Sequence, residues 1–276
     1  MRILKVLLVA FLVVALTITT QVGGAVLLLS LLLHPIVVRS VKITLPEWIS
    51  KGLTFVTLYL LFTFLIIPYI AAPLGRVPLP VWEGQHLKPA NMAFCLLNRH
   101  YVRPQLKSAT LRAAEEMANM YPGTVTNYLD AGFPFIDGFP LLPHLSHSDG
   151  KKLDLSFQYN DAKTGEPTRE VPSFIGYGIC EGPKEGEINM AEQCSNKGYW
   201  QYGLMEKAVS QENKHRFTFH AGRTKVLVQY FIRQDVIGKV FIEPHLKSRL
   251  GLSSNKIRFH GCQAVRHDDH IHVQMK

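Results

Sequence analysis

Two long apolar stretches without a charged residue occupy the first quarter of the chain, at residues 6–33 and 52–75. Each is longer than the roughly 20 apolar residues that a helix needs to cross a bilayer. The pattern predicts a membrane anchor over residues 1–75 with two spanning helices. A cleaved secretory signal is the alternative for the first stretch, because Arg2 and Lys5 precede it and small residues follow.

The remainder of the chain has the short, mixed periodicities of a folded domain. Residues 76–92 are rich in proline and predict a linker, and the domain over 93–276 carries an insert at about 160–220. Apolar spacing predicts helices at 105–120 and 240–252, and strands at 124–130, 153–159, 224–231, 256–261 and 270–275. These elements predict an α+β fold with an antiparallel sheet and flanking helices.

The net charge of +9 divides between the two parts of the chain. Residues 1–75 hold five basic residues and one acidic residue, so +4 belongs to the anchor and +5 to the other 201 residues. The domain has no run of lysine or arginine, which argues against a nucleic-acid partner and leaves a membrane surface or an acidic polymer as the expected one. With two spans, the flanking charges do not decide the orientation of the anchor.

Four cysteines are present, and none forms a CxxC pair, so a zinc site made of four thiolates is not expected. Cys180 and Cys194 bracket a Gly/Glu-rich segment with too little apolar content to hold itself closed. A disulfide between them, which would indicate an oxidising compartment, and two unrelated thiols are both compatible with the sequence.

Two histidine-rich segments carry the candidate chemistry. The first, HLSHSDGKKLD, holds His144, His147 and Asp154, and the second, RHDDHIHVQ, lies near the end of the chain. Zinc needs three ligands of the His or carboxylate type if a fourth position is to stay open for water. His270 and His272 point to the same side of a strand because they are two residues apart. His147, Asp154 and one of these two histidines would complete such a site.

The pattern HxSHxxGxxxD, followed far downstream by HDDHIHV, resembles the penicillin-insensitive murein endopeptidases. These enzymes belong to the LAS group of zinc peptidases, together with lysostaphin-like endopeptidases and D-Ala-D-Ala carboxypeptidases. The resemblance covers the two motifs, from His144 to Asp154 and from His267 to Val273, and implies a Hedgehog/DD-peptidase-like fold. The apolar spans and the insert have no counterpart in that family.

The resemblance also implies roles for individual residues. Zn²⁺ would be held by His147, Asp154 and His272, and the catalytic histidines would be His267 and His270. Possible accessory residues are His144, Asp268 and Asp269, where either aspartate could accept a ring N–H and fix which nitrogen faces the metal. The other histidines, among them His260, are expected to be ordinary structural residues.

The function implied is a zinc peptidase, anchored in a bacterial cytoplasmic membrane, that hydrolyses amide bonds of peptidoglycan peptides with a zinc-activated water in the periplasm. Two alternatives stay open, a non-enzymatic Hedgehog-like zinc module and a zinc amidase with a non-murein substrate such as a lipid-linked molecule. Arg99, Arg103 and Arg223 are candidates for binding a substrate carboxylate, or else ordinary charged residues. The HExxH, GxSxG and phosphate-loop motifs are absent from the sequence.

Overall fold

Three apolar helices form the N-terminal part of the computed structural model, which describes residues 2–42 and 44–276. They are α1 (Arg2–Thr20), α2 (Gly23–Val41) and α3 (Glu47–Leu74), and each is long and apolar enough to cross a membrane. The prediction of one span over residues 6–33 is therefore wrong. That stretch forms two helices, and the anchor holds three candidate spans instead of two.

The break between α1 and α2 depends on a turn that hydropathy does not reveal. Gln21 has a φ of +66°, which ends α1, and Thr20 Oγ1 accepts the N–H of Gly23 at 2.7 Å. A Cβ on Gly24 would lie 2.5 Å from the carbonyl oxygen of Val13, so glycine lets α2 fold back closely on α1. Because the turn contains no charge and no proline, an apolar pattern continues through it.

The helix α3 contains the second predicted span and extends past the α1–α2 turn. It has 28 residues against 19 in α2, so it is longer by about 13 Å at 1.5 Å per residue. A π-helical turn at Phe62–Ile66 precedes Pro68, whose ring and missing N–H disturb a regular helix. The last turns of α3 pack against Val22 and Tyr101, which joins the anchor to the domain.

Ten strands follow the anchor, and six of them form the main sheet in the order β2-β4-β5-β10-β8-β9. The strands are β1 (Val77–Pro78), β2 (Leu87–Pro89), β3 (Tyr101–Val102), β4 (Thr126–Tyr128), β5 (Lys152–Ser156), β6 (Tyr159–Asp161), β7 (Phe217–Phe219), β8 (Ile237–Phe241), β9 (Ile257–Arg258) and β10 (His270–Met275). The central pairs are antiparallel, whereas β2 pairs with β4 and β8 with β9 in parallel. The predicted antiparallel sheet is thus confirmed at its centre, but the whole sheet is mixed. The segment predicted as a linker, 76–92, supplies β1 and the edge strand β2.

Six helices accompany the sheet: Met92–Leu96, Pro104–Met120, Met190–Asn196, Leu204–Ala208, Ala221–Arg233 and Pro244–Arg249. The two long ones share one apolar core with the inward side chains of β5, β8 and β10. Alternation along β5 and β10 sends their apolar residues into this core and their polar residues to the opposite face. That polar face holds Asp154, Ser156, His270 and His272, all of them buried.

One predicted element is wrong in type, and a second has the wrong bounds. Residues 224–231, predicted as a strand, belong to the helix Ala221–Arg233, in which Thr224, Leu227, Val228 and Phe231 are buried at helical spacing. Their β-branched and aromatic composition favours a strand, and packing overrides that propensity. Residues 240–252, predicted as a helix, begin inside β8, and the helix starts only at Pro244, a residue well suited to a first helical position.

A disulfide connects the insert to the segment before β10. It joins Cys194 to Cys262 across 68 residues of sequence, whereas Cys180 is a buried free thiol. The pairing of Cys180 with Cys194 is therefore wrong. The insert is held at its base by the pairing of β6 with β7. The disulfide holds its far part against the loop that leads into the histidine-rich strand.

Candidate metal centre

The neighbouring strands β5 and β10 bring the two halves of the candidate site together. Their antiparallel register places His272 directly opposite Asp154, and both side chains project from the polar face of the sheet. Leu153, Leu155, Ile271 and Val273 fill the core on the other face, and a slip of one residue would reverse every side chain. Core packing therefore fixes the register that unites the two ligands.

The third side chain, His147, arrives from the irregular segment between β4 and β5. Its Nδ1 lies 2.7 Å from the carbonyl oxygen of Ala131, which places the ring proton on Nδ1 and leaves Nε2 free. Gly150 has a φ of +68°, and a Cβ there would overlap the Arg76 guanidinium. The glycine of the motif is thus required for the close approach of this loop to Arg76.

The geometry of these three residues fits a tetrahedral cation. His147 Nε2 lies 3.3 Å from Asp154 Oδ1, His272 Nδ1 lies 2.8 Å from the same oxygen, and the two nitrogens are 3.2 Å apart. Ligands at about 2.1 Å from a tetrahedral zinc would be separated by about 3.4 Å. The three residues can therefore hold a metal ion after only small movements of their side chains.

The hydrogen bonding of Asp154 also fits a cation. Its Oδ1 is fully buried, and no donor among the described residues satisfies it, although two histidine nitrogens lie close by. Burial would raise the pKa of Asp154, but the surrounding histidines, His147 first, hold it well below its ordinary value of 3.8. A buried carboxylate that stays ionised without a donor on one oxygen is expected to bind a positive ion.

The second oxygen of Asp154 is held by the insert. Tyr177 donates its hydroxyl proton to Asp154 Oδ2 at 2.8 Å and accepts the backbone N–H of Asp130 at 3.1 Å. Asp130 also lies 2.8 Å from His144 Nδ1 and forms two bonds to Arg99, at 2.6 and 2.7 Å. These contacts orient the carboxylate ligand and place His144 at the wall of the site.

His270 is oriented so that one ring nitrogen faces the candidate metal. Asp269 lies 2.5 Å from His270 Nδ1 and also accepts the N–H of Gly178 at 2.6 Å. The other ring nitrogen, Nε2, is buried without a partner among the described residues and lies 3.7 Å from Asp154 Oδ2. Burial opposes the charge on this ring, but Asp154 and Asp269 raise its pKa to about 9.

His267 lies beside His270, with ring centroids 4.9 Å apart, and has a different environment. Burial and the neighbouring histidines, His270 first, lower its pKa well below 6.5. Its backbone N–H donates to Glu243 at 3.1 Å. Asp268 does not contact His270 as a proton acceptor, because Arg266 holds it through two bonds of 3.0 and 2.6 Å.

The structure brings six of the predicted residues into one cleft of about 370 Å³, namely His144, His147, Asp154, His267, His270 and His272, whereas Asp268 and Asp269 do not line it. Three further residues belong to the site and were not found in the sequence. Tyr177 and Asp130 bond to predicted residues, and His260 lines the cleft while stacked on Phe241 at 4.2 Å. None stands in a local motif, so only the tertiary contacts identify them.

The three arginines considered as carboxylate ligands are already engaged within the protein. Arg99 bonds to Asp130, Arg103 bonds to Asp137 at 2.7 Å, and Arg223 donates to the carbonyl oxygen of Tyr159 at 2.7 Å. Ion pairs and backbone contacts inside the domain therefore account for them. No protein-family model matches the chain, and no curated protein matches it.

Proposed function

We propose that this protein is a membrane-anchored zinc peptidase that hydrolyses amide bonds of peptidoglycan peptides. The observation that carries the proposal is the buried His147–Asp154–His272 group, whose carboxylate oxygen lacks a hydrogen-bond donor among the described residues, next to the oriented ring of His270. Two histidines and one carboxylate are a ligand set typical of hydrolytic zinc, which keeps a further position open. The cleft of about 370 Å³ gives a peptide access to it.

When bound there, Zn²⁺ would activate water at neutral pH and polarise the carbonyl group under attack. The residues of the chain supply the remaining functions. A cation held by Asp154 would offset one of the two negative charges that raise the pKa of His270, which favours the neutral ring. Asp269 keeps the remaining proton on His270 Nδ1, so His270 Nε2 is then the atom that can accept the proton released by the attacking water. The same nitrogen then donates that proton to the leaving amine as the carbon–nitrogen bond breaks.

His267 acts in a different way from His270. The low pKa of its ring keeps it neutral, and a neutral imidazole N–H can donate a hydrogen bond to the oxygen on which negative charge develops. Its backbone is fixed on both sides by Glu243, which accepts from the N–H and donates its own N–H to the carbonyl oxygen of His267 at 3.1 Å. This bracing keeps the ring in place at the wall of the cleft.

The three-helix anchor supports a place for the domain outside the cytoplasm. If all three helices cross, the start of α1 and the connection from α2 to α3 share one face, and the five basic residues of 1–75 lie at that face. The α1–α2 turn is uncharged and lies on the face of the domain. The positive-inside rule then assigns the domain to the far side, and the Cys194–Cys262 disulfide agrees with an oxidising compartment there.

The test uses the full chain, purified in detergent, with metal content measured by elemental analysis and products of peptidoglycan digestion identified by mass spectrometry. We expect one zinc ion per chain and cleaved peptide bonds. His272→Ala should lose the ion, and His270→Ala should keep the ion but lose cleavage. His215→Ala is the matched control, because His215 is exposed and lies outside the cleft. Zinc-loaded protein that leaves all wall peptides intact would refute peptidase activity and favour a zinc-binding module.

A further inference from the structure

A second, smaller cavity adjoins the metal cleft. It has a volume of about 140 Å³ and shares Pro143, His144 and Met205 with the cleft. The Arg99–Asp130 ion pair lies at its wall, and both partners are already bonded to each other, so the cavity offers an entering molecule few free polar groups. Most of its lining is apolar, and it includes Phe94, Leu97, Pro143, Phe174, Ile175 and Met205.

The wall of this side cavity rests on the membrane anchor. Tyr59 of α3 donates to the carbonyl oxygen of Leu96 at 2.5 Å and accepts from Asn98 at 3.2 Å, on either side of Leu97. Tyr59 also packs in the cluster around Val22, at the α1–α2 turn where those two helices end. The side cavity therefore lies at the level at which the candidate spans leave the membrane.

Exposed apolar side chains surround the same region. Ile136 donates its N–H to Gln21 of the anchor. The carbonyl oxygens of Leu142 and Phe174 accept from Arg99 and Asn91, which both line the side cavity. Phe174 is 75% exposed and lines the cavity. A cluster of this kind is unfavourable in water and is stabilised at a membrane interface. The exposed members are Leu96, Ile136, Leu142, Leu145, Phe174 and Ile175.

We infer that the substrate is a lipid-linked peptide. The side cavity takes the apolar segment that joins the peptide to the bilayer, while the metal cleft holds the amide that is cleaved. This inference rests on the proposed function and adds to it the form in which the substrate arrives. The contacts of Tyr59 with Leu96 and Asn98 hold the cavity at the bilayer, so a lipid-bound substrate reaches both subsites without leaving the membrane.

The experiment compares one wall peptide in two forms, free and N-palmitoylated. Full-chain zinc-loaded protein is reconstituted in vesicles of phosphatidylethanolamine and phosphatidylglycerol, and both cleavage and binding of a fluorescent palmitoyl peptide are measured. We expect a higher kcat/KM for the palmitoyl form. Ala93 also lines the side cavity, so Ala93→Phe would fill it. Both Phe174→Asp and Ala93→Phe should weaken binding of the palmitoyl form at least about tenfold, which corresponds to about 1.4 kcal/mol, and leave cleavage of the free form unchanged.

Ile188→Asp is the matched control, because Ile188 is also exposed and apolar but lines neither cavity. It should change neither form. Equal cleavage of both forms, with binding unaffected by Phe174→Asp and Ala93→Phe, would refute a lipid-linked substrate. The proposed peptidase activity would remain, and the side cavity would then bind an apolar peptide side chain. If neither form is cleaved, the proposed function fails, and the binding measurement still decides whether the cavity takes the acyl chain.

Discussion

The contact between Asp269 and His270 allows a sharp test of how the candidate base works. Asp269 accepts two hydrogen bonds, one from the Gly178 N–H at 2.6 Å and one from His270 Nδ1 at 2.5 Å. In Asp269→Asn the amide oxygen can keep the bond to Gly178, so the amide NH₂ turns toward His270 Nδ1. Nδ1 must then accept, and the ring proton moves to Nε2. The ring would face the metal as a donor and could no longer take a proton from water.

The size of the effect follows from the role of that proton. General acid–base catalysis contributes typically about 10²- to 10⁴-fold, so kcat of Asp269→Asn should fall by that factor, equivalent to about 2.7 to 5.5 kcal/mol in the activation barrier. The exchange removes a charge but almost no volume, and it touches none of the three candidate ligands. Metal content and KM should therefore stay close to those of the wild type.

The assay is steady-state cleavage of a wall peptide as a function of pH, with zinc content measured on the same samples. Glu192→Gln serves as the matched control, because Glu192 is an exposed carboxylate in the helix Met190–Asn196 of the insert. A kcat within about threefold of wild type, at unchanged zinc content, would refute the orientation of His270 by Asp269. A loss of the metal itself would instead assign Asp269 a structural role.

Three further predictions follow from the same contacts. Gly150→Ala should destabilise the fold by about 1–3 kcal/mol in denaturant titrations, because its φ of +68° disfavours a side chain and the new Cβ would overlap Arg76. Metal affinity measured by equilibrium dialysis should fall as the pH falls from about 8 to 5. Burial lowers the pKa of His147, but Asp154 raises it to above 6.5 in the metal-free protein, so protons compete with the metal for His147. An affinity independent of pH would contradict this. Cys262→Ser should lower the free energy of unfolding by about 4 kcal/mol, because the disulfide closes a loop with a sequence separation of 68 residues. A reductant should lower the stability of the wild type but not of the variant.

The sequence contains the faces of β5 and β10 but not their pairing. Strict alternation puts Asp154 on the polar face of one strand and His272 on the polar face of the other, and this much can be predicted from the sequence. Their opposition depends on the register between segments more than 100 residues apart, which no local pattern encodes. The two motifs were associated through a family resemblance, and the geometry of the pairing comes from the structure.

The residues that local reasoning missed depend on long-range contacts or on turns without a signal. Tyr177 gains its place only because the insert folds over β5, and nothing in its neighbours distinguishes it from a core tyrosine. The Gln21 turn is hidden because it contains no charged residue and no proline. The β-branched and aromatic residues of 224–231 favour a strand, but the segment is part of the helix Ala221–Arg233, in which every third or fourth side chain is buried.

The anchor and the candidate site are parts of one packed structure. Arg76 follows α3 directly, is almost fully buried, and bonds to Asp137 and to the carbonyl oxygen of Asp149, in the loop that carries His144 and His147. Gln21, in the α1–α2 turn of the anchor, accepts the N–H of Phe135 at 2.8 Å, at the start of the same loop. Because this loop has no regular secondary structure of its own, these bonds restrain the ligand His147 from both ends. The apolar N-terminal helices therefore contribute to the geometry of the candidate metal site.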